Sequence, residues 1–345
     1  MLKFDTDDTF VAIRFPKAKD FFLMTPKDDI LHFDINDMFS KQGFVFYPFD
    51  ESGENAPPLF IEAKKIFINK RFSFYPETKD FTYAMTFDEY MDKARLFINA
   101  TKDKFRKLVL SRMKNIESGV LDLYYIFEKA AKKYPGAFVY LFHHPVAGTW
   151  MGATPEILLY KNSERYETVA LAGTQFVKNP EDITWTPKER EEHNAVKDFI
   201  ENVLRRHNIN FLTSKTGATT AAKNKNGYLV HLCTKYSFSG VENKGKLLLD
   251  LHPTPAVSGF PQREAVEFIK EHEGYDREYY TGFAGTVNIS GNDNFNIHVN
   301  LRTMKIYQNK YRLYLGGGVN SQSIPEREWE ETENKAKTME ELLVY

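Results

Sequence analysis

Near the C-terminal end, residues 315–335 read Leu-Gly-Gly-Gly-Val-Asn-Ser-Gln-Ser-Ile-Pro-Glu-Arg-Glu-Trp-Glu-Glu-Thr-Glu-Asn-Lys. An apolar strand over 311–315 runs into Gly316, Gly317 and Gly318, which expose bare backbone amides. Ser323 as N-cap, Pro325 in the first turn and Glu326 three residues on predict a helix start. On that helix Glu328, Glu331 and Lys335 fall at i, i+3 and i+7 and share one face. Two carboxylates one turn apart beside a glycine loop suit a hard cation, and the cation an anionic substrate. The alternative is a solvated helix with a Glu331–Lys335 surface pair.

Other chemistry-bearing residues lie at element ends. Lys107 opens the apolar run Lys107-Leu-Val-Leu-Ser-Arg112, where an ordinary strand-end lysine is the alternative. Glu156 enters the apolar run Ile157-Leu-Leu. Partial desolvation there raises a carboxyl pKa and suits it to give up a proton, unless it faces solvent. Thr174 follows a glycine directly. Glu192 sits four residues before Val196, on the stripe formed by Val196, Phe199, Ile200, Val203 and Leu204. A carboxylate on a core face needs a partner, and a metal shared with Glu328 and Glu331 would be one; a hydrated first turn is the other reading. His231 lies within a strand, where a hydrogen-bonded core histidine is the usual case. Arg302 ends another strand.

The elements that must position these groups are strands and capped helices. Residues 1–80 read as short aromatic strands (10–15, 21–24, 43–47) without chemistry of their own. Thr86 with Glu89, and Thr186-Pro-Lys-Glu189, are capping-box helix starts. Residues 121–134 and 263–273 read as helices, and 214–227 as loop or edge. In 345 residues, Lys+Arg 46 against Asp+Glu 47 leaves a net charge of −1, so no global field recruits nucleic acid or an acidic membrane. One cysteine, Cys233, excludes an internal disulfide or a cysteine zinc cluster. The N-terminus lacks signal-peptide character and no stretch nears the roughly 20 apolar residues of a membrane span, so a cytoplasmic protein is expected.

Side by side, several segments resemble the chorismate-utilising enzymes: isochorismate synthase, salicylate synthase, anthranilate synthase component I and aminodeoxychorismate synthase. They are Lys107-Leu-Val-Leu-Ser-Arg, Gly152-Ala-Thr-Pro-Glu156, Ala172-Gly-Thr174, Glu192-His193, His231-Leu, Leu251-His-Pro-Thr-Pro-Ala-Val-Ser-Gly, Tyr280-Thr-Gly, Leu301-Arg302, the three glycines, and Pro325-Glu-x-Glu328-x-x-Glu331-x-x-x-Lys335. The resemblance implies an α+β fold, a single domain over 1–345 of two mainly antiparallel sheets packed together with helices outside. Residues 85–345 would form the chorismate-binding core, and 1–84 strands that complete the sheets.

It also implies roles. Glu192, Glu328 and Glu331 would surround one Mg²⁺, which neutralises the ring carboxylate of chorismate. Arg302, Lys335, Tyr280 and the amides around Gly317 and Gly318 would bind the pyruvyl carboxylate. Thr174 and His231 would line the ring pocket. Lys107, where anthranilate synthases resemble a glutamine, would activate water, and Glu156 would protonate the departing hydroxyl. Ala172 lacks the nucleophilic lysine of many aminodeoxychorismate synthases. Ala256 stands where pyruvate-eliminating enzymes tend to carry threonine. The reading that follows is an isochorismate synthase, in menaquinone or siderophore biosynthesis, with no glutaminase subunit, as monomer or homodimer. Salicylate synthase is the alternative, ahead of anthranilate synthase component I and a non-catalytic chorismate-binding protein. Gln175 and the 196–206 helix depart from the family pattern.

Overall fold

The computed structural model describes residues 1–27, 34–53, 55–81, 83–224 and 227–344. Strand alternation explains its layers. In Phe10–Arg14, Phe10 and Ala12 join one hydrophobic cluster while Val11 and Ile13 join another. In Phe138–His144, Val139 and Leu141 face the first, and Phe138, Tyr140 and Phe142 the second. Gly43–Tyr47 repeats the pattern, with Phe44 and Phe46 toward the second cluster and Val45 on a third. Side-chain period two on strands buried on both faces thus gives two sheets packed face to face.

Aromatic rings fill the space between them; Phe46 stacks on Tyr279 with centroids 4.1 Å apart. Helices cover the outer faces. α1 (Phe87–Ala100) and α2 (Leu123–Lys133) precede α3 (Pro187–Arg206) and α4 (Lys244–Leu251), followed by α5 (Gln262–His272) and α6 (Pro325–Glu340). α2 and the end of α6 pack on one sheet, α3 and α4 on the other, and α1 with α5 beside the strand Lys107–Glu117.

The two sheets are one continuous ladder of antiparallel pairings. The ten-residue strand Leu59–Ile68 joins them. Its first half pairs with Gly43–Tyr47 in one sheet and its second half with Phe22–Pro26 in the other. Phe10–Arg14 pairs with Phe138–His144, so N-terminal strands lie inside the sheets rather than beside them.

Both expected capping boxes are present; Thr86 N donates to Glu89 Oε2 at 2.8 Å, and Thr186 N to Glu189 Oε2 at 2.7 Å. Two expectations are corrected. The N-cap of α6 is Ile324, and the Ser323 hydroxyl instead accepts from Asn320 N at 3.1 Å. The three glycines are not a loop, because they lie inside the strand Lys310–Val319, paired with Ser111, Leu110 and Val109. The segment read as loop or edge is an edge: its strand Gly217–Asn224 pairs, among the described residues, with Gly227–Phe238 alone, and residues 225 and 226 lie outside the described ones.

Candidate active site

Where the chain passes between the sheets it takes up left-handed backbone at two non-glycine residues, Thr281 (φ 64°) and Arg302 (φ 49°). Such conformations persist only where surrounding structure holds them, and they cluster at functional sites. Both residues line one cavity. Its wall also includes Glu156, Thr174, Glu192, His231, Ala256, Tyr280, Gly317, Gly318 and Lys335. Every sequence-predicted site residue except Lys107, Glu328 and Glu331 is therefore part of that lining. Those three stand just behind it.

A register shift between Ala172 and Thr174, with Gly173 at φ 77°, brings Thr174 opposite His231 across the ladder. A bulge of this kind re-aims the next side chain. A Cβ at Gly173 would come within 2.9 Å of the Glu189 carbonyl oxygen, so glycine also lets α3 approach the strand. Arg302 Nη2 donates to His231 Nε2 at 3.0 Å. Arginine only donates, so the ring proton sits on Nδ1 and passes to Thr174 Oγ1 at 2.9 Å. Burial, then Arg302 and Lys335, push the His231 pKa well below its ordinary value and keep the ring neutral. The Thr174 hydroxyl proton is left to point at a ligand.

Glu156 is 2% exposed, and its Oε1 has no hydrogen-bond partner. Burial raises its pKa to about 8, against the opposing pull of Lys107, Arg302 and Lys335. It is therefore a protonated acid at neutral pH. Burial also lowers Arg302 to about 10, well above neutrality, so the guanidinium remains a cation.

The three other carboxylates gather around the glycines. A Cβ at Gly318 would lie 1.9 Å from Glu192 Oε1, and one at Gly317 would lie 3.5 Å from Glu331 Oε1 and 3.8 Å from Glu328 Oε2. The glycines thus provide room for carboxylates rather than a loop. Each glutamate holds a lysine: Glu192 with Lys107 at 2.9 Å, Glu328 with Lys188 at 2.6 Å, Glu331 with Lys335 at 2.7 Å. Lys335 Nζ also donates to Gly316 O at 2.8 Å, which ties α6 to the glycine strand. Burial would raise Glu192, but Lys107 and Lys188 outweigh it and hold the pKa below the usual range. Glu328 goes the other way, to about 7, through burial and the repulsion of Glu331.

Among the described residues no group of three His, Cys, Asp or Glu side chains is arranged to hold a metal ion as it stands. The donor set nevertheless fits one. Glu328 Oε2 is buried without a partner, and oxygens of Glu192 and Glu331 stand with it around Gly317 and Gly318, an all-oxygen set suited to a hard cation.

Two residues were missed by sequence reasoning. Lys188 stands four residues before Glu192 on α3, a spacing visible in the sequence; its partner Glu328 is not. Arg112 packs its guanidinium over Trp329, 3.8 Å from the ring centroid, and donates to Thr332 Oγ1 at 2.8 Å, pinning α6 to the strand Lys107–Glu117.

A family model for chorismate binding enzymes matches residues 69–344. The isochorismate synthase EntC of Escherichia coli (strain K12) is 34% identical over 249 residues, covering 68% of this chain and 61% of that protein. The anthranilate synthase component 1 of Aquifex aeolicus is 29% identical over 205 residues, 55% of this chain and 40% of that one. The chain thus matches less than two thirds of these relatives' lengths. Among solved structures, a 2,3-dihydroxybenzoate-specific isochorismate synthase, DhbC, from Bacillus anthracis matches with a TM-score of 0.80 at 24% identity, over 97% of this chain and 96% of that chain. The menaquinone-specific isochorismate synthase MenF from Escherichia coli also gives 0.80, at 18% identity, over 99% and 90%. At such identities these two matches speak for the fold alone. The family match, which spans most of the chain, decides the rest: this protein belongs to the chorismate binding enzymes.

Proposed function

We propose that this chain is an isochorismate synthase, converting chorismate to isochorismate. The observation that carries the reading is Glu156: a buried carboxylic acid still protonated at neutral pH, in a cavity that also holds cationic Arg302 and Lys335. A proton donor is what loss of a hydroxyl requires. Lys107, as the neutral amine in the substrate complex, takes a proton from water as its oxygen adds at C2 of the ring. The double bonds shift, and Glu156 gives its proton to the C4 hydroxyl, which leaves as water. Atoms balance, and no electrons enter or leave.

Arg302 and Lys335 bind the pyruvyl carboxylate, with Tyr280 and the strand edge at Gly317 and Gly318 completing that end. Thr174, oriented by His231, donates to the ring end, and Ala256 leaves room beside it. Glu192, Glu328 and Glu331 would hold Mg²⁺, which when bound offsets the charge of the ring carboxylate. Lysine at 107 and alanine at 256 favour this reaction over those of the ammonia-using and pyruvate-eliminating relatives. The 2,3-dihydroxybenzoate-specific DhbC and the menaquinone-specific MenF stand for two fates of isochorismate, and the reading holds for either.

The test is chromatography of products from purified protein with chorismate and Mg²⁺, beside Lys107→Ala. Isochorismate without pyruvate, lost in the variant, is expected. Salicylate with pyruvate would instead make the protein a salicylate synthase, and no product would leave a chorismate-binding protein.

A further inference from the structure

Lys188 lies in the first turn of α3, one turn before Glu192, so both side chains leave the helix on the same face. Its Nζ sits 2.6 Å from Glu328 Oε1, in a pair whose side chains are 21% and 2% exposed. Unlike Lys335 it is not part of the cavity wall, and unlike Lys107 it has no place in the proposed chemistry. What it does contribute is charge. Each of Glu192, Glu328 and Glu331 already has a lysine partner, Lys107, Lys188 or Lys335, so with nothing bound the cluster has no negative charge to spare.

A dication entering such a largely buried cluster leaves two uncompensated positive charges there, which is costly. A dication entering with a substrate that carries two carboxylates leaves none.

We propose that Lys188 is an internal counter-cation that weakens the hold of Glu192, Glu328 and Glu331 on a lone divalent cation, and so makes metal binding depend on the substrate's own carboxylates. This rests on reading those glutamates as metal ligands. The same lysine also orients Glu328, leaving Oε2 bare, and orientation alone would strengthen metal binding. The two effects have opposite sign. Charge wins, because repulsion between a monocation and a dication a few ångströms apart in a site poor in water exceeds the gain from one hydrogen bond.

Calorimetric titration of the full chain with Mg²⁺ separates them, with and without chorismate equilibrated beforehand. Lys188→Gln keeps a donor for Glu328 without the charge, Lys188→Met removes both, and Lys188→Arg keeps the charge. The Gln and Met variants are expected to bind Mg²⁺ alone at least tenfold more tightly than the parent, and to gain less from chorismate. The Arg variant should bind as the parent does. Affinity unchanged or weakened in the Gln variant overturns the proposal and leaves Lys188 an orienting residue. This readout stands even where the Met variant fails to fold. A parent protein that binds no Mg²⁺ even with chorismate would overturn the metal-ligand assignment itself, and this inference with it.

Discussion

Burying Glu156 should leave a pH signature on stability that its removal erases. In the fold its pKa is about 8, against 4.5 in the open chain. Between those values the folded state holds a proton that the unfolded state has released, so stability falls as pH rises through the window. Below about 4.5 the contribution is complete, and above about 8 nothing further is lost. At about 1.4 kcal/mol per pH unit the gap is worth about 5 kcal/mol, a ceiling that water entry and local relaxation reduce. Glu156→Gln keeps the shape and cannot ionise. Urea unfolding of both proteins at intervals from pH 5 to 8.5, without substrate or divalent cation, gives the difference directly. Histidines buried as neutral rings, His231 and His298 among them, impose the opposite slope in the acid range, but equally on both proteins, so they cancel. The wild type should lose at least about 2 kcal/mol relative to the variant across this range. The turnover of the wild type should fall above about pH 8 as the acid ionises, and the variant should be inactive at every pH. Parallel stability curves would refute the reasoning, because they would mean that Glu156 is ionised and solvated in the fold and no proton donor stands there.

Two further perturbations probe how the site is held. Gly318→Ala would place a methyl 1.9 Å from Glu192 Oε1, so either Glu192 or the strand must move. Turnover per KM is expected to drop at least about a hundredfold, with the thermal midpoint little changed, since a misplacement of 1 Å costs that much. Arg112→Met leaves Glu333 without one of its two cationic partners and removes the stack on Trp329. Urea unfolding should show a loss of about 2 kcal/mol, from the buried stack and the hydrogen bond to Thr332, and a loss below about 0.5 would mean that α6 is held by its apolar face alone.

Two of the three predicted helix starts were legible because they are local: Thr86 with Glu89 and Thr186 with Glu189 close their hydrogen bonds within four residues. What escaped depends on residues far away in the chain. The strand Leu59–Ile68 reads as polar and apolar residues of no clear period because its halves serve different sheets, and so face different surroundings. α4 is only eight residues long, too short to show a period, and its buried leucines are explained by α3 beside it. The site is where local pattern and final structure disagree most. Three consecutive glycines predict a loop on backbone entropy alone, yet they form strand by pairing with Lys107–Glu117, and they are glycine because side chains at 316 and 318 would collide with Tyr280 and Glu192. Glu156 in an apolar run and Arg302 in left-handed backbone are equally unfavourable by themselves. A fold bears such costs only where the rest of the structure offsets them. The positions that local rules get wrong are therefore also the positions that mark the cavity.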